Sequence, residues 1–347
     1  VKVLVTGGAG YIGAVLCEAL VAAGHEPVVL DRFFWGRAPL DGLKVETIAG
    51  DVRELQDTWL DGIDAICHLG GLSNDPTAEY NPEANREMNL VATQALVAAC
   101  KRRKIKRFTF ASSASIYDSD ASSKDFERSP IMCDETTETQ PRGAYSITKR
   151  AAEVAILEAV DADFSPVIFR QGTVYGYSPR MRFDLVVNTF IKDAIVRRKL
   201  FLHGGGWMWR PLVDVKDVCR AHVLALEAPT EKIAGEIFNV LEENYQIRQL
   251  AMLVAGSIAI LRPGTHVELE EAPLPSIVRN YRMSNAKLTK TLGLTPSITV
   301  LESIEDMLRR LPIDAPETFS DPRYYNVRWM SLLEDVHREQ RAYDSIY

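Results

Sequence analysis

Tyr145 and Lys149 stand four residues apart in Tyr145-Ser146-Ile147-Thr148-Lys149, a spacing that puts both on one face of a helix. An ammonium beside a phenol favours the phenolate and lowers its pKa from about 10, giving a proton shuttle usable near neutrality. Ser113, inside the cluster Ser112-Ser113-Ala114-Ser115, offers a hydroxyl to the same substrate oxygen. The three groups together suit a secondary alcohol that gives up its proton while an acceptor takes its hydride. Taken alone, a tyrosine and a lysine four apart are usually a generic surface pair. The elements upstream give this pair its weight.

The chain opens on a short apolar run, Val1 to Val5, as expected of a strand buried on both faces. The turn Thr6-Gly7-Gly8-Ala9-Gly10-Tyr11-Ile12-Gly13 follows directly, then a helical pattern ending near Gly24, then a second strand ending in Asp31. Gly7 permits a tight turn, Gly10 lets the backbone approach a pyrophosphate, and Gly13 lets helix and sheet pack closely. The helix N-terminus then offers unpaired N–H groups to phosphate oxygens. Glycines spaced GxxGxxG are weak evidence by themselves and have a plainer reading as turn residues. Strand, turn, helix, strand and terminal acid in sequence are a dinucleotide-binding unit. Asp31 is placed to accept from the adenosine ribose hydroxyls and to repel a 2'-phosphate, which points to NAD rather than NADP. Arg32 and Arg37 are nearby cations able to soften that preference.

Further alternation follows. Strands are expected near 45–48, 65–69, 107–111 and 166–169, with helices from Pro82 and from about Ser146 to Val160. This order indicates an α/β fold, a Rossmann-type doubly wound parallel sheet. Ligands then bind beyond the carboxyl ends of the strands, where Gly70, Ser112, Ser113 and Gly172 fall. The pattern changes after residue 176. We expect an NAD-binding domain from 1–176 plus 212–237, with a helix over 218–226. A smaller α/β substrate-binding domain takes 177–211 plus 238–316, and 317–347 forms a C-terminal tail able to pack on its own chain or on a partner.

The 347 residues carry a net charge of -7, from 40 basic and 47 acidic side chains. That balance disfavours nucleic acid as a partner. Five scattered cysteines show neither metal-site spacing nor a disulfide framework, so no metal is expected. No apolar stretch approaches the roughly 20 residues of a membrane span, and the apolar start reads as a strand rather than a signal peptide. The expectation is a cytoplasmic enzyme that does not bind membranes.

The chain resembles the extended short-chain dehydrogenase/reductases, the branch of nucleotide-sugar epimerases, dehydratases and decarboxylases. The resemblance rests on TGGAGYIG at 6–13, Asp31, Gly50-Asp51-Val52, His68-Leu69-Gly70, Asn89, SSASIY at 112–117, YSITK at 145–149, FRQGTVYG at 169–176 and the block RPLVDVKDV at 210–218. It covers the chain to about Leu311. It implies a catalytic trio of Ser113, Tyr145 and Lys149. It implies NAD contacts from Gly7, Gly10, Tyr11, Ile12, Gly13, Asp31, Asp51, Val52, Leu69, Asn89, Tyr145 and Lys149, with Asn89 also supporting the site's architecture. The implied partner is a nucleotide-diphosphate sugar, met by Ser113, Thr173, Asn188, Arg182, Arg210 and Arg279, and the implied assembly is a homodimer. Arg210 and Arg279 would clamp the diphosphate, as guanidinium groups do in bidentate fashion. The plainer alternative for Arg279 and Arg182 is pairing with surface carboxylates, and for Trp207 and Trp209 a core or interface place rather than sugar stacking.

Where 4,6-dehydratases carry an Asp-Glu pair, this chain has Ala114-Ser115. Elimination of water needs an acid and a base beyond the tyrosine, and neither residue supplies one; Asp118 is the nearest other acid. Decarboxylases commonly keep a glutamate at the position of Ser115 and are disfavoured too. Thr173 replaces a common asparagine and Asp214 a common histidine, leaving nucleotide and sugar open. The leading expectation is an NAD-dependent epimerase inverting a sugar hydroxyl, at C4, through a keto sugar. A keto-sugar reductase or dehydrogenase is the alternative, and a non-catalytic NAD-binding protein the contrasting class.

Overall fold

The computed structural model describes residues 1–117, 130–274 and 279–344, and side chains as far as Arg341. Asp118 lies outside the described residues. Seven strands form the central sheet: β1 (Lys2–Thr6), β2 (Glu26–Asp31), β3 (Glu46–Ala49), β4 (Ala65–His68), β5 (Arg107–Ser113), β6 (Ser165–Gln171) and β7 (Glu236–Val240). Their order is β7-β6-β5-β4-β1-β2-β3, and every pair is parallel. Parallel strands need crossovers, and these cover both faces. Val3 and Val5 therefore enter one apolar layer while Leu4 enters the other. One face packs on helices Tyr11–Ala22 and Val215–Glu227, the other on Ala92–Arg103 and Ala144–Glu158. The chain winds from β1 to one edge and restarts at β4 on the other side of β1. The cleft between those two carboxyl ends is the switch point where such sheets bind ligands.

One element departs from expectation. The strand that returns to the sheet is β7, which pairs with β6 from Glu236↔Val167 to Val240↔Gln171 and so crosses the limit expected at 237. The start of that stretch lies elsewhere: Trp209–Asp214 pairs with Thr173–Tyr175 and Glu243–Gln246 in a separate three-stranded sheet. The expected helix is present as Val215–Glu227. Two short ladders join Lys199–His203 to Glu268–Ala272 and Met132–Cys133 to Arg282–Met283. The apolar layer of β1 runs on without a break into this region through Val187, Ile191, Val254 and Ile304.

The tail packs on its own chain. Phe319 is buried edge-on to Phe183, ring centroids 5.0 Å apart, and the Phe183 N–H donates to the Tyr324 carbonyl at 3.0 Å. Helix Asn326–Asp344 follows. Among the described residues, no helix is long and apolar enough to cross a membrane, and all five cysteines are buried free thiols.

Candidate active site

The glycine turn is built by close approach. Gly7 has φ +71°, and a Cβ there would lie 2.9 Å from the Gly70 Cα; a Cβ on Gly13 would collide with the Gly7 carbonyl and the Gly8 Cα. Only bare backbone lets helix Tyr11–Ala22 start this near the sheet, with its free N–H groups facing the cleft. The cleft has a volume of ≈ 320 Å³, in the range of small-molecule sites. Gly7, Gly10, Tyr11, Ile12, Gly13, Asp31, Asp51, Val52 and Leu69 all line it.

At the far end of the turn, the Asp31 carboxylate accepts from the Phe33 N–H at 2.7 Å and the Ala9 N–H at 3.0 Å. Burial raises its pKa above the ordinary value, against those two backbone donors. Both neighbouring arginines are engaged elsewhere. Arg32 pairs with Asp51 at 3.1 Å and stacks on Phe34, while Arg37 donates to Thr47 and stacks on Phe33. Asp51 is itself gripped by Arg53.

Helix Ala144–Glu158 carries the proton-transfer groups. Ser146 folds back on Gly143, whose N–H it accepts at 3.1 Å, fixing the first turn. Tyr145 and Ser113 both line the cleft, and Ser113 is close enough to lower the pKa of the Tyr145 phenol. The Ser113 hydroxyl donates to Ser115 Oγ at 2.9 Å. Lys149 departs from the expected arrangement. Its ammonium sits behind the cleft wall, donating to the Ala111 carbonyl at 2.9 Å, 5.9 Å from the Tyr145 ring centre. Burial dominates the Tyr145 phenol and pushes it up to about 12, with Ser113 lowering and Asp75 raising it. The expected lowering by lysine is therefore not what the chain's own groups produce. Desolvation outweighs it.

Burial likewise pushes Lys149 down to about 8, and Glu153 opposes that shift. Glu153, one helical turn further on, is fully buried. It accepts from Ser112 at 2.6 Å and from Arg170 at 3.1 and 2.9 Å. Arg170 also donates to the Tyr117 hydroxyl at 2.7 Å, and Tyr117 to Asn239 at 2.8 Å. Behind β4, His68 sits between the Thr6 and Thr93 hydroxyls at 2.6 and 2.9 Å, and burial holds its pKa down at about 3.

The substrate-side residues divide. Thr173, Arg182, Arg210 and Arg279 line the cleft. Arg182 is tied to Asp184 at 2.8 Å and to Ser73 at 2.7 Å, and Arg279 to Asp75 at 2.6 Å and the Ser115 carbonyl at 3.0 Å. Both arginines thus pair with carboxylates, but with half-buried ones rather than with carboxylates of the surface, and both remain in the cleft wall. Arg210 donates to the Trp209 and Arg279 carbonyls. Asn188 and Asn89 are not in the wall. Asn188 is fully buried, holding the Gly176 N–H, the Tyr11 hydroxyl and the Arg182 carbonyl. Asn89 clasps both the N–H and the carbonyl of Leu72, at 2.9 and 2.8 Å. Each amide positions wall segments and lies behind the cleft surface, the architectural part expected of Asn89. Trp207 and Trp209 also lie outside the wall, and Asp214 caps helix Val215–Glu227 through the Lys216 N–H.

Several wall residues escaped the sequence reading: Phe34, Trp35, Ser73, Asp75, Arg180, Tyr281 and Asn326. Arg180 lies two residues before Arg182, the neighbour that the sequence did single out. Asn74, whose side chain caps the next helix at the Thr77 N–H, was a legible marker for the Asp75 turn. Nothing local marked Asn326.

A dinucleotide fits this cleft: a side-chain-free turn at a helix N-terminus, a ribose acceptor in Asp31, and a buried cation in Arg180. A family model for the NAD dependent epimerase/dehydratase family matches residues 3–240. UDP-glucose 4-epimerase of Corynebacterium glutamicum is 26% identical over 327 residues, 87% of this chain and 93% of that protein. GDP-6-deoxy-D-mannose reductase of Pseudomonas aeruginosa is 28% identical over 321 residues, 88% of this chain and 96% of that one. The solved structure of MoeE5 in complex with UDP-glucuronic acid and NAD superposes with a TM-score of 0.76 at 26% identity, covering 90% of this chain and 100% of that one. With fold, cleft and matched length in agreement, this chain belongs to the NAD-dependent epimerase/dehydratase family and is an enzyme with NAD as its cofactor.

Proposed function

We propose that the enzyme is a nucleotide-sugar epimerase that inverts the C4 hydroxyl through a 4-keto sugar. The observation that carries this reading is how little acid–base equipment surrounds the reacting position. Tyr145 and Ser113 face the cleft, Ala114 beside them is buried, and the Ser115 hydroxyl is held by Ser113. Asp75, a lining carboxylate whose charge acts on Tyr145, is paired with Arg279. That suffices for taking a proton from a hydroxyl and returning it, and among the described residues it supplies no acid and base pair for eliminating water.

NAD, when bound, supplies a hydride acceptor and donor with a positively charged ring in its oxidised form. The remaining work falls to the chain. With the positive charge that oxidised NAD would bring beside it and the Lys149 cation behind it favouring the phenolate, Tyr145 would take the hydroxyl proton as phenolate and return it as phenol, while Ser113 holds the sugar oxygen. Arg210 and Arg279 grip the diphosphate, and that grip competes with Asp75 for the Arg279 guanidinium. Holding only the diphosphate leaves the keto sugar free to present its other face. A cytoplasmic homodimer belongs to the same reading.

The test is incubation with UDP-, GDP- and dTDP-hexoses without added cofactor, followed by NMR and mass spectrometry. Interconversion of C4 epimers at constant mass is the expected result. No epimer interconversion there, with stoichiometric NADH consumption in a parallel incubation of the 4-keto sugars with added NADH, would replace the reading with a reductase. Loss of a water molecule would replace it with a dehydratase.

A further inference from the structure

Arg180 is almost wholly buried, lines the cleft, and has no carboxylate within salt-bridge distance among the described residues. One guanidinium nitrogen, Nη2, donates to Asn326 Oδ1 at 2.6 Å, and the Trp35 ring lies 4.2 Å beneath the guanidinium carbon. Its Nε is buried with no hydrogen-bond partner. A cation in a desolvated wall is costly unless an anion meets it, and Asp184 and Asp31 act on Arg180 only through space, without a salt bridge. Burial accordingly pulls its pKa down to about 9.

The loop bearing Arg180 is stitched to the phosphate-binding turn. Its N–H donates to Ser178 Oγ at 3.2 Å, and that hydroxyl donates to the carbonyl of Tyr11, the first residue of the cofactor helix. Arg180 thus lines the cleft on a loop anchored to the start of the cofactor helix, close enough to feel the charge of Asp31. The tail holds it there. Asn326 is itself buried and donates to Ser73, and one turn on the Trp329 Nε1 donates to the Phe34 carbonyl at 2.5 Å, beside Asp31. Residue 326 lies beyond the segment matched by the family model, which ends at 240.

We propose that residues 316–341 complete the cofactor site, with Asn326 holding the Arg180 guanidinium against a phosphate of the bound dinucleotide. The helix N-terminus and Arg180 grip the pyrophosphate together, and exchange of NAD requires the tail to lift.

Titration of the full-length protein with ADP and with adenosine separates a phosphate contact from a structural role. Arg180→Ala should weaken ADP binding about 30-fold or more while leaving adenosine binding nearly unchanged. Asn326→Ala should weaken ADP about 5-fold, and speed NAD release measured by dilution into excess NADH. The double variant should resemble Arg180→Ala alone, because Asn326 acts through Arg180. Arg180→Lys keeps the charge and the fold should Arg180→Ala prove unstable, and should retain part of the ADP affinity. Unchanged ADP binding in the arginine variants would overturn the proposal. So would equal losses for ADP and adenosine, or multiplicative effects of the two substitutions.

Discussion

Replacing Glu153 by Gln removes one charge and almost no volume from the best-buried ion pair behind the active site. Glu153 and Arg170 have side chains 0% and 3% exposed, and the carboxylate also accepts from Ser112. Loss of the carboxylate leaves the Arg170 guanidinium buried, and at least one of its donors then faces an amide NH2. Breaking a buried pair from one side costs about 3–5 kcal/mol, against a total stability of about 5–15 kcal/mol. Urea unfolding at pH 7.5 should show that loss with an unchanged slope. Glu153→Gln/Arg170→Met should recover much of it, since an apolar pair needs no compensating charge. Activity should change in a second, separable way. Burial holds Lys149 at about 8 and Glu153 opposes the shift. Removing Glu153 therefore lowers the Lys149 pKa further, and the alkaline fall in turnover should begin at lower pH. His68 and Tyr145, which also face Lys149, stay neutral there, because burial holds them at about 3 and about 12. A stability loss below about 1 kcal/mol, or an alkaline limb moving upward, would refute the reasoning.

Tyr145→Phe should keep fold and NAD binding but lower turnover by about 10²–10⁴-fold, measured on the substrate found by the hexose screen; wild-type turnover would remove Tyr145 from the mechanism. NADH should bind more tightly than NADPH in fluorescence titration, because Asp31 faces the ribose with Arg32 and Arg37 tied elsewhere; equal affinity would refute it. His68 and His222 are held in the folded state at about 3 against an ordinary 6.5. The unfolded chain then binds more protons between those values. Their contribution is complete above pH 6.5 and falls as pH drops, by about 1.4 kcal/mol per pH unit for each histidine. Urea midpoints from pH 7.5 to 5 should show this acid loss, reduced in His222→Gln.

What the sequence determined by itself was everything encoded at short range. The glycine turn, the strand before it, Asp31 after it and the Tyr145–Lys149 spacing are patterns within a few tens of residues. Backbone sterics and side-chain periodicity decide their geometry almost regardless of context. Parallel order was legible for the same reason, since buried strands alternating with helices admit few topologies. The tertiary structure decided where each polar side chain is directed. Asn89 and Asn188 have the chemistry of ligand contacts, yet their amides meet Leu72 and Gly176 before any ligand. Arg279 lies 204 residues from its partner Asp75, and Arg180 lies 146 from Asn326. No local pattern specifies such pairs, because they exist only once separate elements have packed. The protonation of Tyr145 is of the same kind. The Tyr-x-x-x-Lys spacing speaks for a lowered pKa, but the fold directs the Lys149 ammonium to the Ala111 carbonyl and withdraws water from the phenol. Desolvation is a property of everything that surrounds a group, and so it belongs to the packed structure.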